Sequence, residues 1–330
     1  MTGAAGPDMP DYGLGTAGLG NLYTEISDDE AQGALQAALE SGLHYIDTAP
    51  FYGHGLSEQR VGAFLQASDA NPVISTKVGR QLRPAGTQPI ADNGFASPAP
   101  FIPEFDYSAE GVRASFADSQ KRLGVRSVDI LLLHDIGEAT HGAAHQEVFD
   151  QAVTEALPEM AALKAEGKTK WIGLGVNEIE VCQQVLDHMD LDVLLIAGRY
   201  TLLEHAASGP FLDECHRRNV KVIIGGAFNS GLLAALDDEP LRYDYAEAPL
   251  WAIERVKKLR ELCAAYDTSL PAAALQFCHA HPAVVCVIPG ARNAAQVRQV
   301  VRWTQLPIDP EFWDALRERS LISPDVVVPS

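Results

Sequence analysis

Four side chains able to hold or move a proton stand at related places in this sequence: Asp47 and Tyr52 in "HYIDTAPFYG" (44–53), Lys77 in "PVISTK" (72–77) and His134 in "VDILLLH" (128–134). Asp47, Lys77 and His134 each close a short apolar run, and Tyr52 follows Asp47 across a proline and a phenylalanine. A phenol of ordinary pKa, near ~10, is a poor proton donor or acceptor at neutral pH, but an adjacent ammonium favours the phenolate and pulls the value down. Lys77 can supply that ammonium, and Asp47 can keep it protonated and in place. His134 can then orient a carbonyl or hydroxyl oxygen. The chemistry suited to such a set is general acid/base catalysis through Tyr52.

Groups so far apart in sequence must be gathered by the elements that carry them. Short β-rich apolar runs recur at 43–47, 72–77, 128–134, 170–176, 192–197, 220–226 and 284–289, and "YGLGTAG" (12–18) supplies an opening strand. Stretches of helical period lie between them, near 27–42, 57–67, 108–123, 148–166, 178–188, 209–218, 249–266 and 293–303. In the first, Ser27 and Glu30 form a capping box and Gly42 ends the helix. Strands apolar on both faces, each followed by a helix, describe a parallel sheet covered by helices. Eight such units predict an α/β fold, a closed (β/α)8 barrel of the TIM type, as one domain over 1–330. Barrel enzymes carry their active sites at the C-terminal ends of the strands. Asp47, Lys77, His134 and Tyr52 would then face one mouth.

Composition excludes several partners. The 330 residues hold 25 Lys+Arg against 44 Asp+Glu, a net charge of −19, and such a field repels nucleic acids and anionic membrane surfaces. No apolar run reaches membrane-spanning length, and "MTGAAGPDMPDYG" lacks a basic region followed by an apolar core. Cys182, Cys215, Cys263, Cys278 and Cys286 are odd in number and form no CxxC pair. A cytoplasmic protein with reduced thiols is expected. His134 with Asp135, His141 with His145, and His279 with His281 each lack a third metal ligand, so no metal is expected.

"DTAPFYGHGLSE" (47–58), "STKVGR" (75–80), "DILLLHDIG" (129–137) and "IPGARNAAQV" (288–297) resemble the aldo-keto reductases in order and spacing over nearly the whole chain. The resemblance implies catalytic roles for Tyr52, Lys77, Asp47 and His134, and a nicotinamide cofactor lying across the barrel mouth. No strand is followed by the Rossmann glycine fingerprint. In family terms Thr16 and Ala17 border the nicotinamide beside Asp47, and Asn177 bonds its carboxamide. "GGAFNSGLL" (225–233), with Ala227, Phe228, Asn229 and Gly231, passes over the pyrophosphate, where backbone N–H groups can meet oxyanions. Gly290, Ala291, Arg292 and Gln296 reach the adenosine end.

The sequence departs from better-known members at several of these places. Gly225 stands where a tyrosine commonly stacks on the nicotinamide, and Ala197 where a glutamine contacts the carboxamide. Gly290 and Gln296 stand where NADPH-preferring members carry lysine and arginine. Because a charge-assisted contact to a phosphate is strong, their absence leans toward NAD over NADP, with Arg292 and Arg298 as possible substitutes.

Within the family, "AGRYTLLE" (197–204), the insert ending in "FDYS" (105–108) and the tail "LPIDPEFWDALRERSLI" (306–322) resemble the aldose and pyridoxal dehydrogenase branch. The resemblance implies oxidation of an aldose at C1 to its lactone. Pyridoxal oxidation and NADPH-dependent reduction of aldehydes or ketones are the alternatives, with a cofactor-binding regulatory role more remote. The partner is thus a small sugar or aldehyde. The insert, about 80–107, reads as a loop by its five prolines, and a loop of that length is usually a lid or binding element. Its aromatics, Phe101 among them, either stack on substrate or anchor the loop to the barrel.

Overall fold

The computed structural model describes residues 6–235 and 240–329; residues 1–5 of the N-terminal stretch considered above lie outside them. In chain order the strands are β1 (Leu14–Gly15), β2 (Tyr45–Asp47), β3 (Val73–Val78), β4 (Arg80–Pro84), β5 (Phe101–Phe105), β6 (Ile130–His134), β7 (Trp171–Val176), β8 (Val193–Ala197), β9 (Lys221–Gly225), β10 (Arg242–Tyr243), β11 (Ala246–Glu247) and β12 (Val284–Ile288). Eight of them form one parallel sheet in the order β1-β2-β3-β6-β7-β8-β9-β12. Parallel bridges from Tyr12 to Val287 and from Gly15 to Gly290 join the last strand to the first, giving the (β/α)8 barrel that the alternation of runs predicts.

Strand parity decides which side chains face the barrel axis. Tyr45, Ile130, Leu132, Val193, Leu195, Ile223, Cys286 and Ile288 form an inner core. Their neighbours one residue along, such as Ile46, Leu131, Leu194 and Val222, join the larger core beneath the helices. Two residues on from Tyr45 is Asp47, and two on from Leu132 is His134. The same alternation that fills the barrel therefore turns these polar residues inward, at the C-terminal ends of their strands.

The helices carry local signals that fix where they begin. Ser27 accepts from the Glu30 amide while Glu30 reaches back to the Ser27 amide, which starts the helix Asp28–Glu40. Asn293 caps Ala294–Gln305 through the Gln296 amide. Buried charges tie the layers together. Glu58, on the helix Leu56–Ala67, accepts from Thr76 of β3 at 2.6 Å and from Arg122 of the helix Ala109–Leu123 at 2.7 Å.

The insert differs from the loop expected. Its ends pair as an antiparallel ribbon, β4 with β5, in the register Arg80↔Phe105, Leu82↔Pro103 and Pro84↔Phe101. Proline is tolerated there because both strands of an isolated ribbon are edges, where its missing N–H can face away from the partner. The stretch expected near 148–166 is helical from His145 to Ala165, with a π-helical turn at Ala152–Ala156. Two helices, Leu270–His279 and Pro310–Glu318, were not read from periodicity. The first is apolar on nearly every face, which erases the amphipathic signal.

The turn after β2 that carries Tyr52 is held by close backbone approach. A Cβ on Gly20 would lie 2.6 Å from the Tyr52 carbonyl carbon, and Gly53, at φ +62°, faces the Gly20 oxygen. Gly20→Ala should therefore cost about 1–3 kcal/mol of stability, read from urea unfolding. An unchanged unfolding midpoint would show that this turn can move aside freely.

Candidate active site

Asp47, at the end of β2, and Lys77, on β3, are each about 1% exposed. Lys77 Nζ donates to both Asp47 carboxylate oxygens, at 2.8 and 2.9 Å, and to the Thr48 carbonyl at 2.9 Å. Ser75 donates to Asp47 Oδ1 at 2.7 Å, and the Tyr45 hydroxyl, 2.8 Å away, donates to Ser75 in turn. This buried carboxylate thus has partners on both oxygens. Space for the lysine stem comes from Gly175 of β7, where a Cβ would stand 3.1 Å from Lys77 Cε.

Tyr52 sits half-buried above the pair. Lys77 Nζ donates to its hydroxyl at 3.1 Å and lies 4.6 Å from its ring centroid. Burial holds the Tyr52 phenol well above its ordinary value, followed by the nearby Asp47, Tyr245 and Asp135, with Arg80 opposing. This corrects the expectation that Lys77 draws the phenol down. Asp47 lies against Lys77, so the phenol meets a nearly neutral pair rather than a bare ammonium. The Tyr52 phenol therefore keeps its proton at neutral pH.

His134 ends β6 beside it, with its ring centroid 6.2 Å from that of Tyr52. Burial, then Arg80 and Lys77, lower its pKa well below the ordinary imidazole value. The next residue, Asp135, has a left-handed backbone at φ 47°. Its amide donates to the Gly175 carbonyl, and its carbonyl accepts from the Tyr107 hydroxyl at 2.7 Å and lies 2.8 Å from His141 Nε2. Strain of this kind persists where the surroundings over-determine it.

The structure gathers the four polar residues but treats other expected positions differently. The Phe101 carbonyl lies 2.7 Å from His54 Nδ1, and it is the Phe95 ring that stands near Tyr52, with centroids 6.4 Å apart. Phe95 is held there by backbone pairing of the insert with residues 21–23. Thr16 has no exposed surface, and its hydroxyl donates to the Asp47 carbonyl at 2.7 Å, which ties it to the turn after β2. Ala17 is half-buried beside it. In the 225–233 loop, the amides of Asn229, Gly231, Leu232 and Leu233 already donate to loop carbonyls of Gly226, Phe228 and Asn229. The loop closes on itself through short turns, which leaves those amides committed. Gly225 has little room to be anything larger, since a Cβ would meet Leu195 at 3.3 Å and Ala197 at 3.4 Å.

Several residues fit a nicotinamide dinucleotide. Asn229 is buried with its Oδ1 unpartnered, while its amide nitrogen donates to Gly198 beyond β8. Asn177, after β7, donates to the Ala197 carbonyl at 3.3 Å. Ala227 and Ala291 are buried, Phe228 packs on Trp303, and Gly231 and Gly290 are exposed. Gln296 Oε1 accepts from the Arg292 amide at 2.9 Å, so the residue standing where a cation was considered braces its own loop.

Two residues near the site had no role in the sequence reading. Arg80 reaches His134 and Asp135 from β4, although "KVGR" was legible as a motif. Tyr245 arrives on the β10–β11 hairpin, where its amide donates to the Ser230 hydroxyl at 3.0 Å, and lies close enough to Tyr52 to act on its phenol. Asp244 and Tyr245 both take positive φ, 45° and 65°, as a two-residue hairpin turn requires. Arg199 clamps Asp244 with two bonds, at 3.0 and 2.8 Å. The "DY" pair lacks the usual glycine, which hid the turn.

The model of the aldo/keto reductase family matches residues 12–320. The chain belongs to that family. It is 41% identical to a pyridoxal 4-dehydrogenase from Microbacterium luteolum, with 97% of each chain covered. It is 39% identical to a D-threo-aldose 1-dehydrogenase from a Pseudomonas species, over 97% of this chain and 96% of the relative. An aldo-keto reductase structure from Bacillus halodurans superposes with a TM-score of 0.72 at 24% identity, covering 96% of this chain and 94% of the other. This aldo-keto reductase is an oxidoreductase acting on CH–OH groups, and its family uses nicotinamide cofactors. Among the described residues no group of three or more His, Cys, Asp or Glu could hold a metal, and no helix is long and apolar enough to cross a membrane. The five cysteines are free and buried.

The raised Tyr52 pKa carries a stability signature. Above pH 10, the ordinary phenol value, the unfolded chain releases this proton while the folded protein keeps it, so stability falls as pH rises toward the folded value. The unfolding free energy of the wild type should decline relative to that of Tyr52→Phe by about 1.4 kcal/mol per pH unit in that window. Parallel curves for the two proteins would contradict the assignment.

Proposed function

We propose that this aldo-keto reductase oxidises an aldose at C1 to the lactone, with Tyr52 as general acid/base. The observation that carries the reading is the contact of Lys77 Nζ with the Tyr52 hydroxyl at 3.1 Å over the Asp47 carboxylate. In oxidation the Tyr52 phenolate takes the proton of the hemiacetal hydroxyl; in reduction the phenol donates it. Lys77 stabilises the phenolate as it forms, and Asp47 keeps Lys77 charged and aimed. His134 holds the reacting oxygen, and the Asp135 carboxylate offers an acceptor for a neighbouring sugar hydroxyl. A nicotinamide cofactor, when bound, would supply the hydride acceptor or donor for this chemistry. Asn177, Asn229 and the loops at 225–233 and 290–296 would hold that cofactor. NAD is favoured over NADP, because Gly290 brings no charge and Gln296 is committed to the Arg292 amide.

Pyridoxal is the second reading, and a specific observation favours it. Phe51, Phe95 and the Tyr52 ring form an aromatic wall, with Phe51 edge-on to Phe95 at 5.4 Å, that suits a flat pyridine. Pyridoxal also closes to a hemiacetal, so either substrate would leave as a lactone by the same proton transfer.

The test is nicotinamide reduction followed by absorbance at mildly alkaline pH, with NAD and NADP run in parallel against L-fucose, D-arabinose, L-galactose and pyridoxal. One aldose should give kcat/KM about tenfold or more above pyridoxal, a difference of roughly 1.4 kcal/mol at the barrier, with NAD preferred. Turnover with pyridoxal alone would move the substrate to the pyridine. Activity only with NADPH and simple aldehydes would overturn the aldose reading.

A further inference from the structure

Arg80 is the first residue of β4, pairs across the ribbon with Phe105, and is only 7% exposed. Its guanidinium carbon lies over two rings, 4.2 Å from the Phe51 centroid and 4.7 Å from that of Phe105. Packing on both rings restricts the fork, so its N–H groups point in set directions. One, Nη1, lies 2.9 Å from His134 Nδ1; another, Nη2, donates to Asp135 Oδ2 at 2.8 Å.

A guanidinium has donors and no acceptor. A contact of 2.9 Å between it and Nδ1 therefore requires a lone pair on Nδ1, and a ring with a lone pair there carries its proton on Nε2. Nε2 stands 3.5 Å from Asp135 Oδ2, too far for a good hydrogen bond, and that oxygen already accepts from Arg80. We propose that Arg80 is a positioning residue that keeps the His134 proton on Nε2, facing the mouth as a donor for the reacting oxygen.

The surrounding charges agree with this assignment. Arg80 from β4, Lys77 from β3 with its partner Asp47 from β2, Tyr52 from the following turn and Asp135 from the end of β6 are the charged and titratable groups around the ring. His141 and Tyr107 engage the backbone carbonyl of Asp135 instead. Two cations oppose a charged imidazole, and one of them blocks the atom where the second proton would go. Without Arg80, Nδ1 becomes free to take a proton, and the nearby Asp135 carboxylate favours the charged ring. A ring protonated on Nδ1 alone would present a lone pair at Nε2 and could not donate to a carbonyl or alcohol oxygen. The insert thereby gains a defined part in the site: β4 delivers the guanidinium, and Phe105 of β5 covers it.

This deepens the proposed acid/base reading, and its main readout is made on the protein without substrate, so it fails or stands separately from the sugar assay. With 15N-labelled histidine, long-range proton–nitrogen spectra distinguish the two ring nitrogens, and the His134 signals are those lost in His134→Gln. The wild type should show an unprotonated Nδ1 and a protonated Nε2 from about pH 5 to 8. Arg80→Met should make His134 titrate within that range or move its proton to Nδ1, with kcat lower by about 100-fold and cofactor affinity unchanged. Arg80→Lys should recover part of the loss, since an ammonium can still donate to Nδ1 but cannot span both partners. If Arg80→Met does not fold, because Asp135 is left with no counter-charge, Arg80→Met with Asp135→Asn removes that carboxylate and should still free Nδ1, so that the His134 proton moves there at least in part. A protonated Nδ1 in the wild type, or unchanged His134 signals in the folded Arg80 variants, would overturn the proposal.

Discussion

The site depends on a buried ion pair. Asp47 and Lys77 are almost fully enclosed, and each would be costly to bury alone. What makes the pair tolerable is the completeness of its partners: Ser75 on one carboxylate oxygen, the Thr48 carbonyl and the Tyr52 hydroxyl on the ammonium. Breaking such a pair by removing one member typically costs about 3–5 kcal/mol, because a lone charge remains inside. That cost constrains the mouth: β2 ends at Asp47, β3 presents Lys77 inward, and glycine at 175 of β7 leaves the lysine stem its full room. Once these hold, the Tyr52 hydroxyl has one place to rest.

The same pairing bears on the protonation of Tyr52, the proposed acid/base group. A lone ammonium beside a phenol would pull it toward the phenolate. A lysine matched to a carboxylate gives a phenol that stays protonated until burial is overcome, favouring proton donation at neutral pH and proton removal under alkaline conditions. His134 is also uncharged, for a different reason: its cationic neighbours are unfavourable to a second proton. Two uncharged groups therefore stand side by side, the Tyr52 phenol with its hydroxyl proton and the His134 imidazole with, on the proposed tautomer, its proton on Nε2.

Much of this was legible in the sequence because strand parity is a strong signal. Runs such as "DILLLH" place alternate residues on opposite faces, so a polar residue at the last inward position of a buried strand stands out. The order Asp, Tyr, Lys, His survives whatever the loops do. What was not legible depended on groups whose meaning is set by distant contacts. The five prolines of the insert read as loop, yet two lie within the ribbon strands, where an isolated edge tolerates them. Arg80 looks in sequence like any strand-end cation; only the ring of Phe105, paired opposite, and the His134 imidazole give it direction. Tyr245 comes near Tyr52 on a hairpin whose turn residues lack glycine. The direction of the Tyr52 pKa was misread because the sequence shows that Lys77 is near but not how fully Asp47 neutralises it.

The proposed role of Tyr52 is tested most directly by hydride transfer in a single turnover of Tyr52→Phe, measured beside cofactor affinity by fluorescence titration. The ring, its packing on Phe95 and the Asp47–Lys77 pair remain in this variant, while the exchangeable proton is gone. Transfer slower by about 100-fold to 10,000-fold in both directions, with cofactor affinity nearly unchanged, is the predicted result. Transfer near the wild-type rate would remove Tyr52 from the chemistry and leave the buried pair as a structural device.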